Sequence, residues 1–477
     1  MEIATLDAHL RGLKALLLLG EISLLLWLAA TEGVTELGVI LLVVVGGLGL
    51  VAVFAYNWPV GAISILIISS AMPRLSISVL GLHLRPEHVS ISVAALAIWI
   101  QVRRRLLPSR VDLRKFDYLL FAFIAINFFT SAFTSPEPRL TLRWAVLNAI
   151  IISPFFILRF LIRDIRRLYK AVDVFLMVGV AESAYGVLCF LSNQMLHTKF
   201  GVEAEQYGSI PATYGTQYEA NIFGSYAACC TIAFLAFFLL GRDFNRVRYG
   251  WGLAITLLGS LASMARSVLL ALPVAAFFVF WMAFKTGRVR LRTITRLSVV
   301  LAIILVAISP ILLKSTIERF SSFDASDLTS DNTTLTRLVQ LAAGLEDVRT
   351  HPILGTGTAS FQLLFDWNDY MPGMGGENEV GGWLSNTALR ILHDTGVIGL
   401  MIFLAFVYSL VKSLRRAFHV AEPELKTMLI ALSSGLVLYA ITFQATEATI
   451  LAFTWIHFGL LAAIVDITSP RAGAAMQ

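Results

Sequence analysis

Apolar runs of membrane-spanning length follow one another from Leu13 to Val465, separated by short basic clusters. A run of about 20 apolar residues crosses a bilayer as a helix, because a helix satisfies its own backbone polar groups where no water is at hand. The runs fall at 13–30, 34–56, 58–73, 88–102, 116–133, 142–159, 170–192, 218–240, 250–265, 266–284, 297–313, 387–411, 427–444 and 447–466. The segments 58–73, 88–102 and 250–265 are short for a full crossing, so each is a candidate for a tilted, re-entrant or shielded helix. The expected fold class is all-α, a polytopic transmembrane helix bundle of about 12–14 spans with one large loop subdomain. A hydrophobic content of 57%, only 14% charged residues and a mean hydropathy of +0.77 exclude a secreted enzyme, a β-barrel and a single-span receptor. The run 13–30, flanked by Arg11 and Lys14, imitates a signal peptide, but a second run starts just after Val34, so it is read as the first span.

The net charge of +6 reads as topological, because basic residues collect in cytoplasmic loops of membrane proteins. No nucleic-acid partner is expected; the surrounding partner is the lipid bilayer. Arg103, Arg104, Arg105, Arg110, Arg114 and Lys115 crowd one loop, and Arg159, Arg163, Arg166, Arg167 and Lys170 crowd the next loop but one. The same parity recurs around Arg242–Arg248, Lys285–Arg296 and Lys412–Lys426. That orientation puts both termini in the cytoplasm of a multi-pass inner-membrane protein. It leaves the loops 134–141 and 193–217, the turn near Arg266 and the long segment 314–386 on the outer face. The last is the only loop large enough for a structured subdomain. The expected divisions are 1–200 as N-terminal spans, 201–411 as a functional core that includes the loop 314–386, and 412–477 as C-terminal spans. Cys189, Cys229 and Cys230 all lie in apolar runs, and no Cys/His spacing suggests zinc, so neither a disulfide nor a metal or cofactor is expected.

Arg266 stands between two apolar runs in Ser263-Met264-Ala265-Arg266-Ser267. A central charge costs roughly 2.5–3.5 kcal/mol to insert, so this arginine either snorkels to the outer headgroups or clamps an anion in a wet cavity. Between Thr333 and Val348 the apolar residues recur at helical spacing, which places Arg337 in the first turns of an amphipathic helix. Gly355-x-Gly357 is read as a tight turn in preference to a phosphate cradle. Glu377, Glu379, Trp383, Ser385 and Asn386 put carboxylates, an indole and an amide at the mouth of a span. Trp383 is either an interfacial anchor or a sugar-stacking platform.

In order and spacing these motifs resemble the O-antigen ligase and polymerase family of bacterial envelope glycosyltransferases. The resemblance rests on Ala265-Arg266-Ser267, on Arg337 opening a helix, on His351-Pro352-Ile353-Leu354-Gly355-Thr356-Gly357, and on Ser385-Asn386 followed, nine residues on, by Gly396-Val397-Ile398-Gly399. It covers roughly residues 205–411, with Tyr218-Glu219-Ala220-Asn221 as a further match at the start of a span. The family implies transfer of a glycan from an undecaprenyl-diphosphate carrier on the periplasmic face, with inversion and without a metal ion. A flippase and a chain-length regulator are the implied protein partners.

A departing lipid diphosphate gathers negative charge, which preorganised guanidinium groups stabilise. Arg266, Arg337 and Ser385 are accordingly the candidate catalytic residues, and Arg319, Asn221, Glu377, Asn386 and Trp383 the candidate substrate-binding residues. Ser385 occupies the position of the family's proposed catalytic histidine, and serine lacks useful basicity near neutral pH. Glu377, Glu379, Asp369 and Asp394 remain open as general bases, and His393 is one only if its helix unwinds. Loss of the histidine favours a polymerase of O-antigen or exopolysaccharide over a ligase. The rival from another class is a transporter, supported by the intramembrane carboxylates Glu21, Asp173 and Glu182.

Overall fold

The computed structural model describes residues 59–79, 82–105, 112–203, 211–241, 246–287, 332–366, 384–447 and 449–468. The elements in chain order are α1 (Pro59–Ser70), the hairpin β1 (Ile77–Val79) and β2 (Leu82–Leu84), α2 (Pro86–Arg103), α3 (Lys115–Phe133), α4 (Pro138–Ile152), α5 (Pro154–Leu161), α6 (Ile165–Leu196), the hairpin β3 (Val202–Glu203) and β4 (Ala212–Thr213), and α7 (Ala220–Leu240). Then come α8 (Arg246–Ala262), α9 (Arg266–Lys285), α10 (Asn332–Thr350), α11 (Ser360–Leu364), α12 (Thr387–Val420), α13 (Pro423–Thr442) and α14 (Ala452–Thr468). Among the described residues seven helical segments are long and apolar enough to cross a membrane. The chain is an all-α polytopic membrane bundle, with two short hairpins in its loops.

The bundle is built around α7, of which 94% of the span is buried, against 39% for α3, α6 and α9. Apolar side chains alone do not drive helices together in lipid, so a central helix needs small residues that let backbones approach. Its sequence Gly224-Ser225-Tyr226-Ala227-Ala228-Cys229-Cys230-Thr231 supplies them. A Cβ at Gly224 would overlap Ser263, and one at Gly179 of α6 would overlap Cys230. Two polar groups of this helix are bonded internally: Tyr226 Oη donates to the Phe175 carbonyl (3.1 Å) and Thr231 faces Ser260 (3.2 Å).

Among the described residues, charged pairs join several helix ends at one end of the bundle. There Arg159, buried, pairs with Asp117 and with Asp466 (2.8 Å), Arg114 also reaches Asp466 (3.4 Å), and Tyr169 donates to Glu424 (2.9 Å). Two helices differ from the expected spans. Helix α6 has 32 residues, about 48 Å at 1.5 Å per residue, and so outruns a hydrocarbon core of about 30 Å. Helix α14 starts at Ala452, five residues later than the apolar run suggests, which leaves Glu447 in a loop.

Candidate functional site

At the end of the bundle opposite Arg159 the starts of α7, α9 and α12 meet α10 and the loop 443–451. The turn before α9 is tight, with Met264 at φ 52°, and it rests on the first turn of α7. Met264 packs with Ala212 and Ala220, and Ser263 fills the space that Gly224 leaves. This packing brings Arg266, the first residue of α9 and half-buried, to the helix start that carries Glu219 and Asn221. Arg337, in the second turn of α10, lies close enough to Glu219 to favour its ionised form. Ser385 Oγ donates to Gln340 Oε1 (3.2 Å), one turn beyond Arg337 on the same helix. The expected residues Arg266, Arg337, Asn221, Ser385 and Asn386 are thus brought to one end of the bundle. Arg319, Glu377, Glu379, Asp369 and Trp383 lie outside the described residues, as does Glu21.

Asn386 has a structural task. Its side chain caps α12 by accepting from the Leu389 amide (2.9 Å), and its amide group donates to the Gln444 carbonyl and to Gln444 Oε1, both at 3.2 Å. The Thr387 amide donates to the Phe443 carbonyl (2.9 Å) and its hydroxyl to the Thr446 carbonyl (3.1 Å). The loop 443–451 is therefore stitched to the start of α12, and this fixes Glu447.

Glu447 is a residue that the apolar pattern concealed, because it read as the first position of the last span. One of its oxygens, Oε1, accepts from Arg390 Nη1 (3.1 Å), from the Thr449 amide (2.9 Å) and from the Thr449 hydroxyl. The other, Oε2, is buried and has no hydrogen-bond partner among the described residues. A buried acceptor left open costs free energy. Glu219 sits beside it. Burial pushes the Glu219 carboxyl above the usual carboxylate range, Arg337 and the Thr446 hydroxyl pull it down, and Glu447 adds to the rise. Glu219, close to Arg337, and Glu447, paired with Arg390, form an arrangement suited to moving a proton next to a developing anion.

The glycine motifs serve the frame of this site. Helix α12 is broken at Gly396, whose φ of 64° and ψ of −171° leave the helical region. The segment 352–357 lies along the break. Thr356 and Gly357 amides donate to the carbonyls of His393 and Asp394 (both 2.9 Å), while Val397 and Ile398 amides donate to the carbonyls of Pro352 (2.9 Å) and Ile353 (3.3 Å). Since the amides of Thr356 and Gly357 are bonded there, the Gly355-x-Gly357 element is a turn and not a phosphate cradle. His393 is held between Asp347 (3.0 Å) and Asp394 (3.2 Å), and Asp394 also accepts from the Ala359 amide (2.9 Å) and from Arg390 Nε (3.3 Å). Both side chains lock this segment to α12, so neither is placed as a general base. Farther along, Thr358 bonds Asn127 and Ser131 (both 3.0 Å) and so docks the segment on α3.

Asp173 and Glu182 do not share a pathway. They are nine positions apart on α6, about 13 Å along the axis. Asp173 pairs with Arg248 in a cavity on the basic-loop side, whereas Glu182 bonds the Thr216 hydroxyl (2.6 Å).

Residues 251–404 match the family described as O-antigen ligase. A comparison with curated proteins finds no match. The matched span takes in Arg266, Arg337, Ser385 and the Gly396 break; Glu219 and Glu447 fall outside it.

Proposed function

From the premise that the chain belongs to the O-antigen ligase family through residues 251–404, we propose that it transfers a glycan from a lipid-diphosphate carrier, on the periplasmic face of the bacterial inner membrane. In this reading an acceptor hydroxyl attacks the anomeric carbon, the bond from that carbon to the diphosphate oxygen breaks, and the electron pair leaves on the lipid diphosphate. Attack from the face opposite the leaving group inverts the anomeric centre. Arg266 and Arg337 stabilise the charge that grows on the departing diphosphate, so the step needs no divalent metal. The acceptor's proton passes to Glu447 Oε2, which supplies the base that Ser385 cannot. Ser385 positions α10, and thereby Arg337, through Gln340.

The observation that carries this reading is the buried Glu447 Oε2, open among the described residues, beside Glu219 and with Arg390 and Arg337 as the cations of the pair. The histidine-free position at Ser385 favours polymerisation of O-antigen or exopolysaccharide repeat units over ligation to a lipid core. The test is a gene deletion in the native host complemented with wild type, Arg337→Ala, Glu447→Gln or Ser385→Ala, with lipid-linked and surface glycans separated by size. Single repeats that persist while long chains vanish identify a polymerase, and long chains stranded on the carrier identify a ligase. Arg337→Ala and Glu447→Gln should fail to complement, the latter with a rate lower by about 10²- to 10⁴-fold, whereas Ser385→Ala should retain most activity. An unchanged ladder in the deletion strain sinks both forms of the reading.

A further inference from the structure

One buried acid takes no part in the transfer step. Glu182 of α6 is 5% exposed, and its carboxyl is bonded by Thr216, in the loop that leads into α7. Thr216 Oγ1 stands 2.6 Å from Glu182 Oε1 and also 2.6 Å from the Ala71 carbonyl oxygen, just beyond α1. Both are hydrogen-bond distances between oxygens. A threonine hydroxyl carries a single proton and a carbonyl carries none, so three oxygens in a row need a second proton, which only Glu182 can bring. With the acid protonated the relay closes: Glu182 donates to Thr216, and Thr216 donates to Ala71. Oε2 agrees with a neutral group, since it is buried and has no hydrogen-bond partner among the described residues, and a bare buried anion is costly. The titratable groups that face Glu182 are Tyr185 and Cys189 of its own helix and Tyr226 of α7. Helix α1 has no titratable side chain. On the other elements packed against α6 such groups turn elsewhere: Arg74 to the Tyr214 ring (3.8 Å), Glu203 to the Ala220 amide (3.4 Å), His457 to Phe175 and Arg248 to Asp173.

The acid lies under the loop that leads to the candidate site. Gly215, at φ 59°, lets the backbone pass over the carboxyl, where a Cβ would stand 3.3 Å from Oε2. Gln217 Nε2 donates to the same Ala71 carbonyl (2.8 Å), Tyr218 Oη to the Pro73 carbonyl (2.6 Å) and the Arg74 amide to the Thr216 carbonyl (3.3 Å). Residues 214–218 are thereby tied to the segment 71–74, and Glu219 and Asn221 follow directly. We propose that Glu182 is a protonated latch, a positioning residue that holds this loop, and with it Glu219 and Asn221, in the active arrangement and releases it on losing its proton. The proton goes to water. The Thr216 hydroxyl then turns to the carboxylate, and its oxygen is left facing the Ala71 oxygen with no proton between them, which pushes 71–74 away from the loop. The proposal rests on the glycan-transfer reading and adds regulation to it: transfer stops as the medium turns alkaline, through a group that touches no substrate.

Hydrogen exchange of the full chain in detergent, expressed as protection so that the intrinsic pH dependence of exchange cancels, reads the latch without any substrate. The reporters are the Arg74 amide and the Tyr214 amide, which donates to the Gly201 carbonyl (3.0 Å). Wild-type protection should be constant at acid pH and fall by about tenfold as the pH rises, the loss of roughly one hydrogen bond. Glu182→Gln, whose neutral amide still donates to Thr216, should keep full protection at every pH. Glu182→Ala and Thr216→Val, which break the relay, should lack it at every pH, with the amides of α13 protected as in wild type to show an intact bundle. Wild-type protection that stays constant, or that rises with pH as an ionised acceptor would make it, overturns the proposal, and so does a Glu182→Gln curve equal to that of wild type. In the transfer assay both proteins should share the acid-side rise in kcat that Glu447 brings, and only wild type should lose kcat on the alkaline side. A loop that opens as expected in a wild type without transfer at any pH refutes the glycan-transfer reading alone, whereas transfer with the same alkaline loss in Glu182→Gln refutes the latch alone.

Discussion

Gly396 offers the sharpest probe of the frame, through replacement by alanine. At φ 64° and ψ −171° the backbone occupies a region open almost only to glycine, and a side chain there costs about 1–3 kcal/mol. A Cβ would also overlap the carbonyl of Ile353 and crowd the Leu354 amide. Those atoms are backbone, so relief requires the 352–357 segment to move away. That movement breaks the bonds from Val397 to Pro352 (2.9 Å) and from Ile398 to Ile353 (3.3 Å), each worth about 0.5–1.5 kcal/mol. Together the loss is about 2–6 kcal/mol. Hydrogen exchange of the detergent-purified chain reads it locally: the amides of Thr356 and Gly357 should exchange at least about 30-fold faster, since 1.4 kcal/mol is a factor of ten. Gly287→Ala separates the two causes, because Gly287 also has a positive φ of 68° but nothing within 4 Å of the position a Cβ would take; it should show only the backbone cost. Unchanged exchange at Thr356 and Gly357 in Gly396→Ala would refute the reasoning.

Arg390→Ala leaves Asp394 and Glu447 buried without their shared cation, and should lower stability by about 3–5 kcal/mol; thermal unfolding in detergent checks this, and a wild-type melting temperature contradicts it. Glu219 makes stability depend on pH. Its folded-state pKa is raised, so the folded chain holds this proton more tightly than the unfolded chain; its contribution is complete below the ordinary carboxylate pKa and is lost as pH rises through the raised value. Glu219→Gln should flatten that part of the stability–pH curve, and an identical curve in the variant rules the group out. Glycan transfer should survive exhaustive chelation of divalent cations, because guanidinium groups carry the leaving-group charge; recovery of activity only on adding Mg²⁺ or Mn²⁺ would overturn the arginine account.

The pattern of apolar runs was sufficient for the fold class, because in lipid each backbone must satisfy itself and the sequence leaves little but helices. Arg266 and Arg337 were likewise legible as candidates. A charge between two apolar runs, or on the polar face of an amphipathic helix, stands out against its neighbours without knowledge of what faces it. The glycine phrases around Gly355 and Gly396 were legible as motifs, but their meaning was not. About forty residues separate them, and only the fold lays one backbone along the other, so that each glycine is there to let a carbonyl approach.

Glu447 shows the limit most plainly. In the chain it borders an apolar run and reads as the start of a helix; α14 begins only at Ala452, because the loop before it is bonded to Asn386 and Thr387. Its partners Arg390 and Glu219 lie 57 and 228 positions away. Periodicity and charge are properties of neighbours in the chain, and they determined which segments form apolar helices of membrane-spanning length and made Arg266 and Arg337 stand out. Proximity between distant carboxylates and guanidinium groups is a property of packing, and only the tertiary structure decided which of them face one another.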